Sequence, residues 1–213
     1  MRLSQIDDSN RGDHYHLGEA DTCYYLFEYT SGQRYDFSRT NQLIFNLKKK
    51  PSQGHRPGYR YKQTAISECA ANLRGALNHE WLRQATLVPV PSSKAADHPD
   101  HDDRMEQVCR AILPGLDVRP LVIQTHSTAA AHEAEAGQRV SVEELLQLYR
   151  IDEGRAAPPP AAMAIVDDVL TAGTHYRAMH SMLEARFPGI SIIGLFIARR
   201  IFPDAACDFP DDL

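Results

Sequence analysis

Between Ala164 and His175 the chain reads Ala-Ile-Val-Asp-Asp-Val-Leu-Thr-Ala-Gly-Thr-His: an apolar run, two adjacent acids, two more apolar residues and a small hydroxyl-bearing loop. Met163 to Val166, entered from the breaker Pro158-Pro159-Pro160, fits a strand buried on both faces of a parallel sheet and ending at the acids. From His175 to Arg186, apolar or aromatic residues at Tyr176, Met179, Met182 and Leu183 follow a helical spacing. The order strand, tight loop, helix predicts an α/β fold, in which ligands sit beyond the carboxyl ends of the strands.

The residue types say which ligand. Thr171, Ala172, Gly173 and Thr174 are small enough for backbone N–H groups to approach an anion closely. A phosphate is favoured there by the unpaired amides and dipole of the helix N-terminus. Asp167 and Asp168 would repel that phosphate. As acceptor-only groups they suit the 2′- and 3′-hydroxyls of a ribose, directly or through Mg²⁺. The plainer alternative is a strand-end acid pair that caps the next helix.

This segment resembles the phosphoribosyl-pyrophosphate (PRPP) signature of type I phosphoribosyltransferases, and Val166 to Thr174 is especially similar to its form in orotate phosphoribosyltransferases. The resemblance implies that Asp167 and Asp168 hold the ribose hydroxyls and any Mg²⁺, and that residues 171–174 cradle the 5′-phosphate. His175 stands where the family usually has a second hydroxyl residue; an imidazole can also donate a hydrogen bond to phosphate. Upstream, Ala85-Thr-Leu-Val-Pro-Val-Pro91 reads as a short buried strand running into Ser92-Ser93-Lys94. Its placement resembles the pyrophosphate loop of the same family, and Leu87 to Pro91 is similar to the corresponding strand of the competence protein F family. Ser92, Ser93 and Lys94 would then neutralise pyrophosphate with Mg²⁺. The segment from His126 to Arg139 occupies the place of the family's lid, but its cationic residues are few: His126, His132 and Arg139.

A chain of 213 residues holds one α/β core with an appended region. The resemblance implies a type I phosphoribosyltransferase-like parallel sheet flanked by helices, with an N-terminal α+β hood over 1–84, the core over 85–201 and a tail over 202–213. The net charge of −5 gives no global electrostatic case for nucleic-acid binding. No apolar stretch approaches the roughly 20 residues that span a bilayer, and the first residues lack the apolar core of a secretory signal, so no membrane role and a cytoplasmic chain are expected. Cys23, Cys69, Cys109 and Cys207 stand singly and read as buried small hydrophobes. His14 and His16 flank Tyr15 and have no third ligand nearby, so they read as a solvated terminal segment.

Elsewhere, Cys23 to Tyr29 is an aromatic-rich strand candidate with Tyr35-Asp-Phe37 as its hairpin partner. Leu43, Ile44 and Leu47 suit a short helix ending in Lys48-Lys49-Lys50. Tyr59-Arg60-Tyr61-Lys62 joins basic and aromatic residues, as a hairpin rim or as a surface for a nucleic-acid or protein partner. Ile66, Cys69, Ala70, Leu73 and Leu77 form a helical stripe, as do Met105, Val108, Ile112 and Leu113. Arg119 to Gln124 is a further strand candidate, Ser141 with Glu144 forms a capping box, and Ile190 to Ala198 is a buried strand from whose end Arg199 and Arg200 emerge. Arg199 there would bind pyrophosphate or an acidic acceptor, or remain a solvated edge charge.

The resemblance implies transfer of a phosphoribosyl group from PRPP to a nitrogenous acceptor with release of pyrophosphate, in a homodimer. Three readings stand beside it: a catalytically inert PRPP- or nucleotide-binding regulator, a module acting with a nucleic-acid enzyme in DNA uptake, repair or defence, and a glycosidase-like or ribosyl-transferring enzyme acting on a nucleotide or nucleic acid.

Overall fold

A computed structural model describes residues 2–127 and 140–203. In chain order the elements are β1 (Ser4–Gln5), β2 (Cys23–Thr30), α1 (Arg39–Leu47), α2 (Tyr61–Ala76), α3 (His79–Gln84), β3 (Thr86–Pro89), α4 (Arg104–Ile112), β4 (Asp117–Val118), β5 (Val122–Gln124), α5 (Val142–Leu148), β6 (Tyr149–Ile151), β7 (Ala162–Leu170), α6 (Thr174–Arg186) and β8 (Ser191–Ile201). Six strands form one sheet in the order β1-β2-β8-β7-β3-β4, parallel throughout except for β1.

Helices cover both faces, as a parallel sheet requires. Ala164 and Val166 of β7 join Leu87 of β3 in a core with α1, α2, α3 and α4. Met163 and Ile165 point the other way and pack with Val88, with α5 and with Tyr176, Met179 and Leu183 of α6. Burial on two faces explains the unbroken apolar run of β7. Asn41 fastens α1 to the end of β2: its side chain accepts from Thr30 N at 3.2 Å and donates to Thr30 O at 3.0 Å. On α5, Ser141 and Glu144 form the capping box that their spacing predicts.

From β3 the chain moves outward to β4, then returns past β3 to lay down β7 and β8. The winding therefore reverses between β3 and β7, and at such a reversal the loops beyond the two strands diverge and leave a crevice.

Several expectations are corrected. β2 has no hairpin partner at Tyr35 to Phe37, which lie in turns; it pairs parallel with β8, Cys23 opposite Gly194 and Thr30 opposite Ile201. The first 84 residues thus supply two strands of the central sheet. Of the Arg119 to Gln124 candidate only Val122–Gln124 is a strand, and it lies outside the main sheet, paired with β6; the strand beside β3 is the preceding Asp117–Val118. Arg199 and Arg200 lie within β8 rather than beyond it. His14 is fully buried and is not part of a solvated segment. Cys23, Cys69 and Cys109 are buried, as expected, and burial raises their thiol pKa values. Cys207, the tail beyond Pro203 and lid residues 128–139, with His132 and Arg139, lie outside the described residues. Among the described residues, no helix is long and apolar enough to cross a membrane.

Candidate functional site

The loops after β3 and β7 stand at the reversal, where the strand order places the crevice. Val90 N donates to Val166 O at 2.9 Å, so the two strands stay paired up to the point where the β3 loop departs. Ser92 shapes that loop, its Oγ accepting from Lys94 N at 3.1 Å and Asp102 N at 3.2 Å. Gln124 Nε2 donates to Ser93 O at 2.9 Å. Ser92, Ser93 and Lys94 are all half-buried.

Beyond β7, the turn reaches α6 through Gly173, whose φ of +90° favours glycine. A Cβ at Gly173 would lie 3.2 Å from Leu17 Cδ2. The turn is tied back through its carbonyls: Thr171 O accepts from His14 Nδ1, and Ala172 O accepts from His16 N at 2.9 Å. No side chain caps the thirteen-residue α6. The arrangement of Thr171, Ala172, Gly173 and Thr174 therefore keeps the helix N-terminus available to an anion. The residues missed in the sequence are His14, His16 and Leu17, which brace this loop from the far end of the chain.

The two acids are not equivalent. β7 does not stop at Val166 but runs through both to Leu170, so the side chains of Asp167 and Asp168 point to opposite faces. Asp168 is 3% exposed and faces the layer of α1 and α4. Its Oδ1 meets Lys48 Nζ at 2.9 Å, while its Oδ2 accepts from Arg104 Nε at 3.0 Å and Nη2 at 2.6 Å. Arg104 also donates to Asp102 at 2.9 Å, and buried Lys62 donates to Asp102 at 2.7 Å and to the carbonyls of Leu47 and Lys49. Burial opposes ionisation of Asp168, but Lys48 and Arg104 outweigh it and hold the carboxyl well below the usual carboxylate range.

Asp167 is half-buried, and its Oδ1 accepts from Asp168 N at 2.7 Å. Burial first, and the neighbouring Asp168 charge second, push its carboxyl up to about 7. On the same side of the sheet, Tyr149 OH lies 2.7 Å from His175 Nδ1. Burial pushes the His175 imidazole down to about 4, so it is neutral at pH 7; a neutral ring accepting from Tyr149 at Nδ1 carries its proton on Nε2.

The donor set limits where Mg²⁺ fits. Asp168 already meets three cationic N–H groups, and the acids diverge, so a divalent ion clasped between them does not fit. Among the described residues, no group of three or more His, Cys, Asp or Glu side chains is placed to hold a metal. Asp167 alone suits an ion that brings phosphate oxygens with it, since Mg²⁺ commonly binds through one carboxylate plus substrate phosphates.

Arg199 is not directed into the crevice. It pairs with Glu28 at 2.6 Å and with Asp13 at 3.5 Å, and lies over the Tyr25 ring. The Tyr59 to Lys62 stretch is no hairpin rim: it is a helical turn entering α2, with Lys62 buried and Arg60 and Tyr61 exposed.

No known family model matches the chain. Among known proteins, a stretch of 130 residues is 25% identical to mouse hexokinase HKDC1. The match takes in 54% of this chain and spans only 14% of that hexokinase, so the likeness is to a small part of a much larger protein.

Proposed function

We propose that the crevice between β3 and β7 binds PRPP, or a related ribose 5-phosphate nucleotide, and supports transfer of the phosphoribosyl group to a nitrogen acceptor with release of pyrophosphate. The observation that carries this reading is the α6 N-terminus: a positive-φ glycine turn, fixed through its carbonyls and uncapped, beside the Ser92-Ser93-Lys94 loop of the adjacent strand. Residues 171–174 anchor the 5′-phosphate, and the 92–94 loop receives the pyrophosphate. Asp167 is the carboxylate placed to accept from ribose hydroxyls. Asp168 acts through Lys48 and Arg104 as an ionised counter-charge that locks the β3 loop against β7.

In the reaction the C1′–O bond to pyrophosphate breaks, the C1′–N bond forms, and the acceptor nitrogen loses its proton. The chain contributes positioning and charge stabilisation. Bound Mg²⁺ would supply charge neutralisation at the pyrophosphate, with Asp167 as its protein ligand. A fold of the type I phosphoribosyltransferase class is part of the same proposal, supported by the adjacency of the two loop-bearing strands.

A second reading, a PRPP-binding regulator without turnover, is favoured by the full engagement of Asp168 with Lys48 and Arg104. The hexokinase match covers too little of that protein to support a sugar kinase. The test is PRPP binding and pyrophosphate release on one preparation, with Mg²⁺ and a panel of nucleobases. Release with one acceptor supports transfer; binding without release across the panel supports the regulator; absence of both removes the reading.

A further inference from the structure

Between Ser31 and Ser67 the chain carries eight Lys or Arg residues and a single acid, in a protein whose net charge is −5. Such a segregated charge is the electrostatic footprint of a polyanion partner. Part of it is internal: Lys62 is buried against Asp102, and Lys48 pairs with Asp168. The remainder reaches the surface. Lys49, Arg56 and Arg60 have no carboxylate within ion-pair distance among the described residues.

One aromatic ring stands among these cations. Tyr61 is 45% exposed, with Lys49 Nζ and Arg60 Cζ each 5.1 Å from its ring centre. Phe45, near the end of α1, is 44% exposed. Lys49 Nζ donates to Gly58 O at 2.6 Å and Lys62 Nζ donates to Lys49 O at 2.7 Å, so the segment from 48 to 61 is fastened at both ends. Its shape is set before any partner arrives, which lowers the ordering cost of binding.

We propose that this face binds single-stranded nucleic acid, with Lys49, Arg56 and Arg60 along the phosphates and Tyr61 and Phe45 as stacking platforms. Base stacking on exposed rings between cations is how single strands are held without sequence readout. A duplex would leave those rings unused, because its bases are already stacked. An anionic membrane fits less well, since α1 turns Leu43, Ile44 and Leu47 inward and offers no apolar face to insert. Asp100, which accepts from Ser52 N, limits the face on one side. The inference does not depend on PRPP binding.

The test is fluorescence anisotropy with labelled (dT)20 and (rU)20 at 50 and 200 mM salt, on wild type, Arg56→Glu/Arg60→Glu and Tyr61→Ala, each checked for folding by circular dichroism. Arg110→Glu on α4 is the surface control. Wild type should bind at 50 mM salt and weaken about tenfold at 200 mM, as expected for a few neutralised phosphates. The double charge reversal should lose at least about tenfold and Tyr61→Ala about fivefold, with the control within twofold. Preference between the two oligomers identifies the sugar. No binding at 50 mM salt, equal loss in the control, or binding to phosphatidylserine vesicles in place of the oligomers overturns the proposal.

Discussion

Arg104 holds Asp168 through two N–H groups, Nε at 3.0 Å and Nη2 at 2.6 Å, and reaches Asp102 with its remaining nitrogen at 2.9 Å. One guanidinium thereby joins the end of β7 to the loop that follows β3. Both carboxylates are buried, and Arg104 shares the task of keeping them charged with Lys48 at Asp168 and Lys62 at Asp102.

Removing that partner should be severe. Arg104→Met removes three charge-assisted hydrogen bonds and leaves each buried carboxylate with a single lysine, Lys48 for Asp168 and Lys62 for Asp102, and we expect a loss on the order of 3 kcal/mol in denaturant unfolding. Lys48→Met, whose side chain is about one-third exposed, should cost less than Arg104→Met. A loss below about 0.5 kcal/mol for Arg104→Met would show that the network does not hold the two loops together.

Asp167 and His175 give the stability curve opposing slopes. Asp167 titrates near 7 in the folded chain against 3.8 for the free group, so its stabilising contribution is complete below 3.8 and lost as pH rises through 7. His175 titrates near 4 against 6.5, so the unfolded chain takes up its proton first and stability falls as pH drops from 6.5 to 4. The two offset each other in the wild type. Asp167→Asn should therefore be more stable than wild type at pH 8, by on the order of 1–3 kcal/mol, with the gap closing toward pH 4. Unfolding at pH 8, 6 and 4.5 checks this, and a gap independent of pH sinks it.

On the same reasoning His175→Asn should flatten the acid side of the curve. Between pH 7 and 4.5 it should lose less stability than wild type, again by on the order of 1–3 kcal/mol. Tyr149→Phe, which removes only the hydroxyl on Nδ1, should leave the direction of the slope unchanged because burial is the larger cause of the His175 shift.

Gly173→Ala places a Cβ in the left-handed region and within 3.2 Å of Leu17 Cδ2. About 1–2 kcal/mol of stability should be lost. PRPP affinity should fall as well, since the turn that presents the α6 amides must shift. Equal affinity in this variant would detach the turn from ligand binding.

The sequence made local order legible and left long-range pairing hidden. The order of apolar run, acids, glycine turn and helix in β7 and α6 could be read because each step depends on neighbours in the chain. The capping box of Ser141 and Glu144 is local in the same sense. The parallel partner of β2 is β8, more than 160 residues away, and nothing in Cys23 to Thr30 names it. The counter-ions of Asp168 come from positions 48 and 104 and are likewise remote in sequence. One signal was nevertheless present. Val169 and Leu170 continue the apolar run past the acids, so the strand had to pass through them, and the two-residue repeat of a strand then sends Asp167 and Asp168 to opposite faces. An acid sent into a buried helical layer requires a cation, and the Lys48 run at the end of α1 was a candidate.

The most direct test of ribose-phosphate binding is calorimetric titration of PRPP with Mg²⁺ into the wild type and Asp167→Asn, with circular dichroism showing both folded. Saturable one-site binding, weakened at least about tenfold in the variant, a change of some 1.4 kcal/mol, is the expected result. No heat of binding to folded wild type, or the same affinity in both proteins, would contradict it.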